Sequence, residues 1–263
     1  MILLISGFAR FSTAKPLSNL TFDEEYDVFY QEPFHVILPR AKDIVPRAYR
    51  RVIRQWGLED SGGLGHPLLV QIKQLNSKTI RRWEAAYVES RGSGNNLRQS
   101  LVIDIGAYVE NPDEDLNLVI THEMAHVSLM DVIAGPQAAP IPPWFNEGLA
   151  QSVTREGRDR VKADIASLRQ TDAHLLLCDL DGPLDEFAHG PFNGGCYPEF
   201  YLAVRRLEQL GGPQTLRKAI TGLRQGVKLP DLTPSLTGMD WSFFKREAEH
   251  YTDDVFAGLK PVP

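Results

Sequence analysis

Apolar residues at Ile44, Val45, Tyr49, Val52, Ile53 and Trp56 recur three or four positions apart, with polar residues between them. That spacing predicts an amphipathic helix over 42–56, with Pro46 in its first turn, where a missing N–H breaks no bond. Upstream, 26–39 (YDVFYQEPFHVILP) is rich in β-branched and aromatic residues and predicts one or two strands. The glycine-rich stretch 61–66 (SGGLGH) lacks the Lys-Ser/Thr ending of a phosphate loop and the GxGxxG pattern, so it is a turn. Strands are expected at 67–75, 82–89 and 100–105, with a turn at 91–96 (RGSGNN). The first hundred residues therefore suggest a small sheet with one helix beside it.

The pattern then changes. Asn111 suits an N-cap, Pro112 a first helical position and Glu114 the third, while Asp113 and Asp115 place negative charge where the helix dipole favours it. A helix should follow and stop before Gly135 and Pro136. A proline-rich connector, AGPQAAPIPP, leads to a second helix from Pro143 to about Arg155. Beyond it, helices are expected over 158–169, 197–210, 213–224 and 241–251. A sheet-rich half thus meets a helical half near Pro143, an α+β arrangement. The expected division is an N-terminal extension over 1–25, a sheet-containing part over 26–143 and a helical part over 144–263.

Composition changes this picture little. The chain has 263 residues, 43% hydrophobic and 24% charged, with a net charge of −6. The acidic balance argues against a nucleic-acid partner. No apolar run reaches the roughly 20 residues needed to cross a bilayer. The first nine residues, MILLISGFA, are apolar but short, with no basic region before them. The expected compartment is the cytoplasm, with export as the alternative. Cys178 and Cys196 are the only cysteines; two thiols are expected, and a bond between them is the alternative.

The candidate chemistry lies in VITHEMAHVSLM, 119–130. On a helix, residues i and i+4 share a face, so His122 and His126 can aim two imidazole nitrogens at one point. Glu123 stands about 100° around the helix, displaced from a ligand position but able to reach a water held there. A catalytic zinc needs a third protein ligand and an open position. Glu147, in PPWFNEGLAQS over 142–152, can return on the second helix, with Trp144 and Phe145 packing that helix and Gly148 allowing close approach. The bland reading of Glu147 is a carboxylate favoured by a helix N-terminus. That of the histidines is a helix carrying them by chance.

Together, HEMAH and WFNEGLA resemble the glutamate-type zincin metallopeptidases, the gluzincins. They are similar to the HExxH and WxNEGxA of the aminopeptidase branch, and still more to the small peptidase-MA-like domains. The resemblance implies a zincin-like fold with Zn2+ held by His122, His126 and Glu147, and Glu123 as general base. It implies a peptide or protein substrate, held by an edge strand at 101–105. It also extends to CYPEFYLAVRRLEQLGG, 196–212, similar to a helix that supplies an oxyanion tyrosine. Tyr197 is the first candidate, with Tyr201 and His189 behind it. No GxMEN-like segment is present, so endopeptidase activity is expected. Asp104 and Gln151 are candidates to hold the ligating histidines. The alternative reading is a non-catalytic zincin-like domain that binds a peptide or protein.

Overall fold

The computed structural model describes residues 17–23, 31–61, 64–73, 85–110, 115–170, 180–181 and 196–263. Four strands form a mixed sheet: β1 (Leu20–Phe22), β2 (Leu68–Lys73), β3 (Ala86–Arg91) and β4 (Arg98–Asp104), in the order β1-β2-β4-β3. β1, β2 and β4 run parallel, while β3 lies antiparallel on β4, with Ala86 opposite Ile103 and Val88 opposite Leu101. β4 is therefore internal, and β3 is the edge beside it. This corrects the expectation that 101–105 forms the substrate-holding edge. β4 alternates along most of its length and ends in a fully buried run at Leu101, Val102 and Ile103. Such a run marks a strand covered on both faces.

Helices α1 (Gln31–Gln55), α2 (Ile105–Glu110), α3 (Leu116–Ile133), α4 (Pro143–Ser152) and α5 (Arg155–Gln170) alternate with and follow the sheet. Then come α6 (Cys196–Gly211), α7 (Thr215–Arg224), α8 (Leu229–Thr237) and α9 (Trp241–Phe256). The α+β class holds: a mixed sheet with helices, then a mostly helical part. One buried cluster runs from Phe34 of α1 through Leu101, Ile120, Phe145 and Phe200 to Phe244 and Ala248 of α9, so both halves share a core.

Two local expectations change. The part of 26–39 that is described is helical, because α1 begins at Gln31. Phe34, Ile37 and Ala41 are buried while His35, Val36 and Pro39 are exposed, a helical period that overrides the strand propensity of those residue types. Pro39 and Pro46 therefore lie inside the helix, where each removes one main-chain N–H from the ladder. Second, α8 forms where the sequence pattern predicts no element. Pro230 falls in its first turn, where proline is tolerated, but Pro234 argues locally against a helix.

Helix α3 carries the HEMAH motif. Its N-cap is Asp115, whose Oδ1 accepts from Asn117 N at 2.9 Å and Leu118 N at 3.2 Å. Asn111, the expected cap, lies outside the described residues. Apolar on most sides, α3 buries Leu116, Ile120, Met124, Val127 and Leu129 against α1, α4, α7 and the sheet. Its buried hydroxyls are satisfied within the helix: Thr121 Oγ1 donates to Asn117 O and Ser128 Oγ to Met124 O, each at 2.6 Å. Near its C-terminal end, buried Asp131 accepts from Gly65 N, His66 N and His66 Nδ1 at 3.0, 2.9 and 2.8 Å. The turn before β2 is thereby tied to the back of α3.

Cys196, at the start of α6, is disulfide-bonded. The only other cysteine is Cys178, which lies outside the described residues. The expectation of a thiol at Cys196 is thereby corrected.

Candidate metal centre

His122, Glu123 and His126 lie in the middle turns of α3, and their ligand atoms all fall within 4.8 Å of one another. The two imidazoles meet edge to face, with centroids 5.0 Å apart and planes at 82°. Their Nε2 atoms are 3.3 Å apart. The i, i+4 spacing brings both rings to one side of the helix, with one turn between them.

Helix α4 brings the third group. The connector returns the chain over α3, and Pro143 sets the first turn of the new helix. Trp144 and Phe145 anchor it in the core at 1% and 0% exposure, with Trp144 against Trp241 and Phe244 of α9. On another side, Gly148 presses on α6. A Cβ there would lie 2.3 Å from Phe200 O and 2.6 Å from Val204 Cγ2, so only glycine permits this approach. Glu147, one residue earlier, then faces α3. Its Oε2 is 3.6 Å from His122 Nε2 and 3.6 Å from His126 Nε2.

These three separations have a direct chemical reading. A tetrahedral ion with bonds of about 2.0–2.1 Å places its ligand atoms about 3.3–3.4 Å apart. The triangle of 3.3, 3.6 and 3.6 Å matches that requirement, slightly expanded on the carboxylate side. Two imidazoles and a carboxylate also form a donor set that zinc accepts. The three side chains are only 23%, 13% and 13% exposed, so the cluster is partly sheltered yet reachable from solvent.

Electrostatics agree with the geometry. Burial alone pushes the Glu147 carboxyl up. His126, by charge, and His122, by hydrogen bond and charge, outweigh burial and hold it below the usual carboxylate range.

A fourth residue orients the set. Asn146 Oδ1 lies 2.9 Å from His126 Nδ1. With the amide oxygen toward the ring, the matching tautomer of His126 carries its proton on Nδ1 and offers the lone pair of Nε2 to the triangle. Asn146 lies within WFNEGLA but carries no role among the sequence expectations. Its available signal was its place beside Glu147, on a helix turn facing His126. Asp104, expected as a partner for a ligating histidine, accepts from Gly106 N at 3.0 Å, where β4 turns into α2.

The oxyanion candidates separate. Tyr197 stands in the first turn of α6, 39% exposed, on the helix against which α4 packs. Tyr201 is fully buried in a separate cluster with Val161, Ile165, Leu202, Tyr251 and Val255. Its hydroxyl donates to Pro263 O at 2.6 Å, which commits it to the C-terminal end of the chain. His189 lies outside the described residues.

None of the described helices is long and apolar enough to cross a membrane. No known protein family, curated protein or solved structure matches the chain.

Proposed function

We propose that this chain is a zinc-dependent peptidase of gluzincin type, with His122, His126 and Glu147 as metal ligands. The observation that carries this reading is the near-equilateral triangle of two imidazole nitrogens and one carboxylate oxygen, at the spacing a tetrahedral cation requires. The residues 26–143 and 144–263 then form two parts that each contribute ligands.

Bound zinc would supply Lewis acidity toward a peptide carbonyl and would lower the pKa of a water toward about 7. The rest falls to the chain. Glu123, beside the ligand pair on α3, takes a proton from the attacking water and returns it to the leaving amine. Asn146 keeps His126 in the tautomer that offers Nε2. Tyr197 donates a hydrogen bond to the oxygen that gains charge as the carbonyl becomes tetrahedral. β3, the sheet edge that contacts α3, supplies main-chain groups for an extended substrate. Because an extended strand can continue past both ends of such an edge, the substrate class is internal peptide bonds of an unfolded segment. Disulfides persist in oxidising compartments, so the bond at Cys196 supports a place of action outside the reducing cytosol rather than the expected cytoplasm.

The deciding experiment pairs metal analysis with a peptide-library digest of the parent and Glu123→Gln proteins. One zinc per chain in both, with cleavage only by the parent, is the expected result. A parent protein that holds zinc and binds peptides without cleaving them would favour the binding-domain alternative. Failure of the refilled parent to retain zinc would remove the peptidase reading.

A further inference from the structure

We propose that the outer face of α1 is a docking surface for an anionic phospholipid bilayer. At 100° per residue, Val36, Arg40, Asp43, Arg47, Arg50, Arg51 and Arg54 fall within about 100° of the helix circumference. Every one of them is exposed, while Phe34, Ile37, Ala41, Ile44, Val52 and Trp56 on the opposite side are buried in the core. The result is a straight row from Arg40 to Arg54, about 21 Å long at 1.5 Å per residue.

The row is strongly cationic on an acidic chain: five arginines against one aspartate, where the whole sequence carries −6. Asp43 pairs with Arg47. Arg40, Arg50, Arg51 and Arg54 have no acidic partner among the described residues. Bringing together on one face four guanidinium groups that lack an acidic partner among the described residues is unfavourable without counter-charge, which marks the row as a place for an anionic partner. Arg47, Arg50, Arg51 and Arg54, with Gln55, line an open groove of about 440 Å³. Gln55 Nε2 donates to Ser152 O at 2.8 Å and fixes the C-terminal end of the row to α4.

Guanidinium forks match phosphate oxygens in pairs. The groove is walled by a single helix and has no opposing side, so it cannot enclose a small free anion. A flat array of phosphates engages the whole row at once. Because the apolar face of α1 is already spent on the core, the contact is peripheral, with Val36, 59% exposed, as its only large apolar group. α3 packs on the buried face of α1, so a bilayer seated on the row does not touch the histidine-bearing helix. The acidic remainder of the molecule is repelled by the same surface, which favours one orientation.

The test is co-sedimentation of the full chain with phosphatidylcholine vesicles, with and without added phosphatidylglycerol. Binding should require phosphatidylglycerol and should vanish in high salt. Each basic residue near an anionic surface contributes about fivefold in partitioning, so Arg50→Gln/Arg51→Gln/Arg54→Gln should lower it roughly a hundredfold. Lys218→Gln/Arg224→Gln/Lys228→Gln removes the same charge from exposed positions elsewhere and should leave it within a fewfold. If the arginine triple melts early, Arg54→Gln alone and the salt dependence of the parent give the same readout. Equal losses in the two triples, or no binding to anionic vesicles, overturn the proposal. So does tighter binding to duplex DNA at the same salt. Calorimetric binding of pyrophosphate by a protein that ignores vesicles assigns the groove to a soluble phosphate ligand and overturns it as well.

Discussion

Replacing Gly148 with alanine should weaken both the fold and the metal site, through one displacement. The new Cβ would sit 2.3 Å from Phe200 O and 2.6 Å from Val204 Cγ2. The valine methyl can rotate away. The carbonyl belongs to the backbone of α6 and cannot. Reaching even 3.0 Å, a distance below which real Cβ contacts essentially do not occur, requires α4 and α6 to part by at least 0.7 Å. Overpacking of this kind costs about 1–3 kcal/mol. For a chain of this size that corresponds to a fall of about 2–12 °C in the melting temperature of metal-free protein. Glu147 is covalently next to the displaced residue and moves with α4. Metal sites tolerate deviations of only about 0.2 Å in ligand distance, so zinc affinity should drop at least about tenfold. Thermal melts in chelator, together with a competition titration against a chromophoric zinc chelator, read the two effects separately. An alanine protein with the parent's melting temperature and the parent's zinc affinity would refute the account of how α4 is seated.

Three further expectations test other links. Asn146→Ala should leave the metal-free melting temperature nearly unchanged but lower zinc affinity about 10–100-fold, because His126 loses the partner that fixes its tautomer; an unaltered chelator titration would dismiss that role. Asp115→Ala should destabilise the chain by about 1 kcal/mol through loss of the two N-cap bonds of α3, measured by urea unfolding. Burial pushes the Tyr201 phenol up to about 12, against the opposing pull of Arg205 and Arg158. The unfolded chain releases that proton near pH 10 while the folded chain still holds it, so stability should be intact below about pH 10 and decline between about 10 and 12. A Tyr201→Phe protein with the same alkaline slope would exclude the phenol as its source.

The candidate ligands were legible on two different grounds. The i, i+4 histidines need only a helix, whereas Glu147 stood out only through the resemblance of HEMAH and WFNEGLA to the gluzincins. What Asn146 does was not legible, since it depends on how α4 rotates when Gly148 meets Phe200, a contact 52 residues away in sequence. The internal position of β4 was hidden for a similar reason: strand order depends on pairing between distant segments, and a buried run fits several positions. Errors over 31–39 and 229–237 have another origin. There, residue-type preferences and prolines pointed one way, and the periodic burial of Phe34, Ile37 and Leu236 pointed the other; tertiary packing followed the period. The basic row is not evident in the composition because a net negative charge averages over surfaces that the fold keeps apart.

The tie between Asp131 and the Gly65–His66 turn bears on how the site responds to a cation. With Asp115 fastening the other end, α3 is clamped at both ends, whereas α4 starts at Pro142 without any side-chain cap. The two imidazoles are thus the stiff arm of the triangle, and the carboxylate is the compliant one. Loading with zinc should accordingly slow amide deuterium uptake across 143–152 far more than across 116–133, where exchange should already be slow in the metal-free protein.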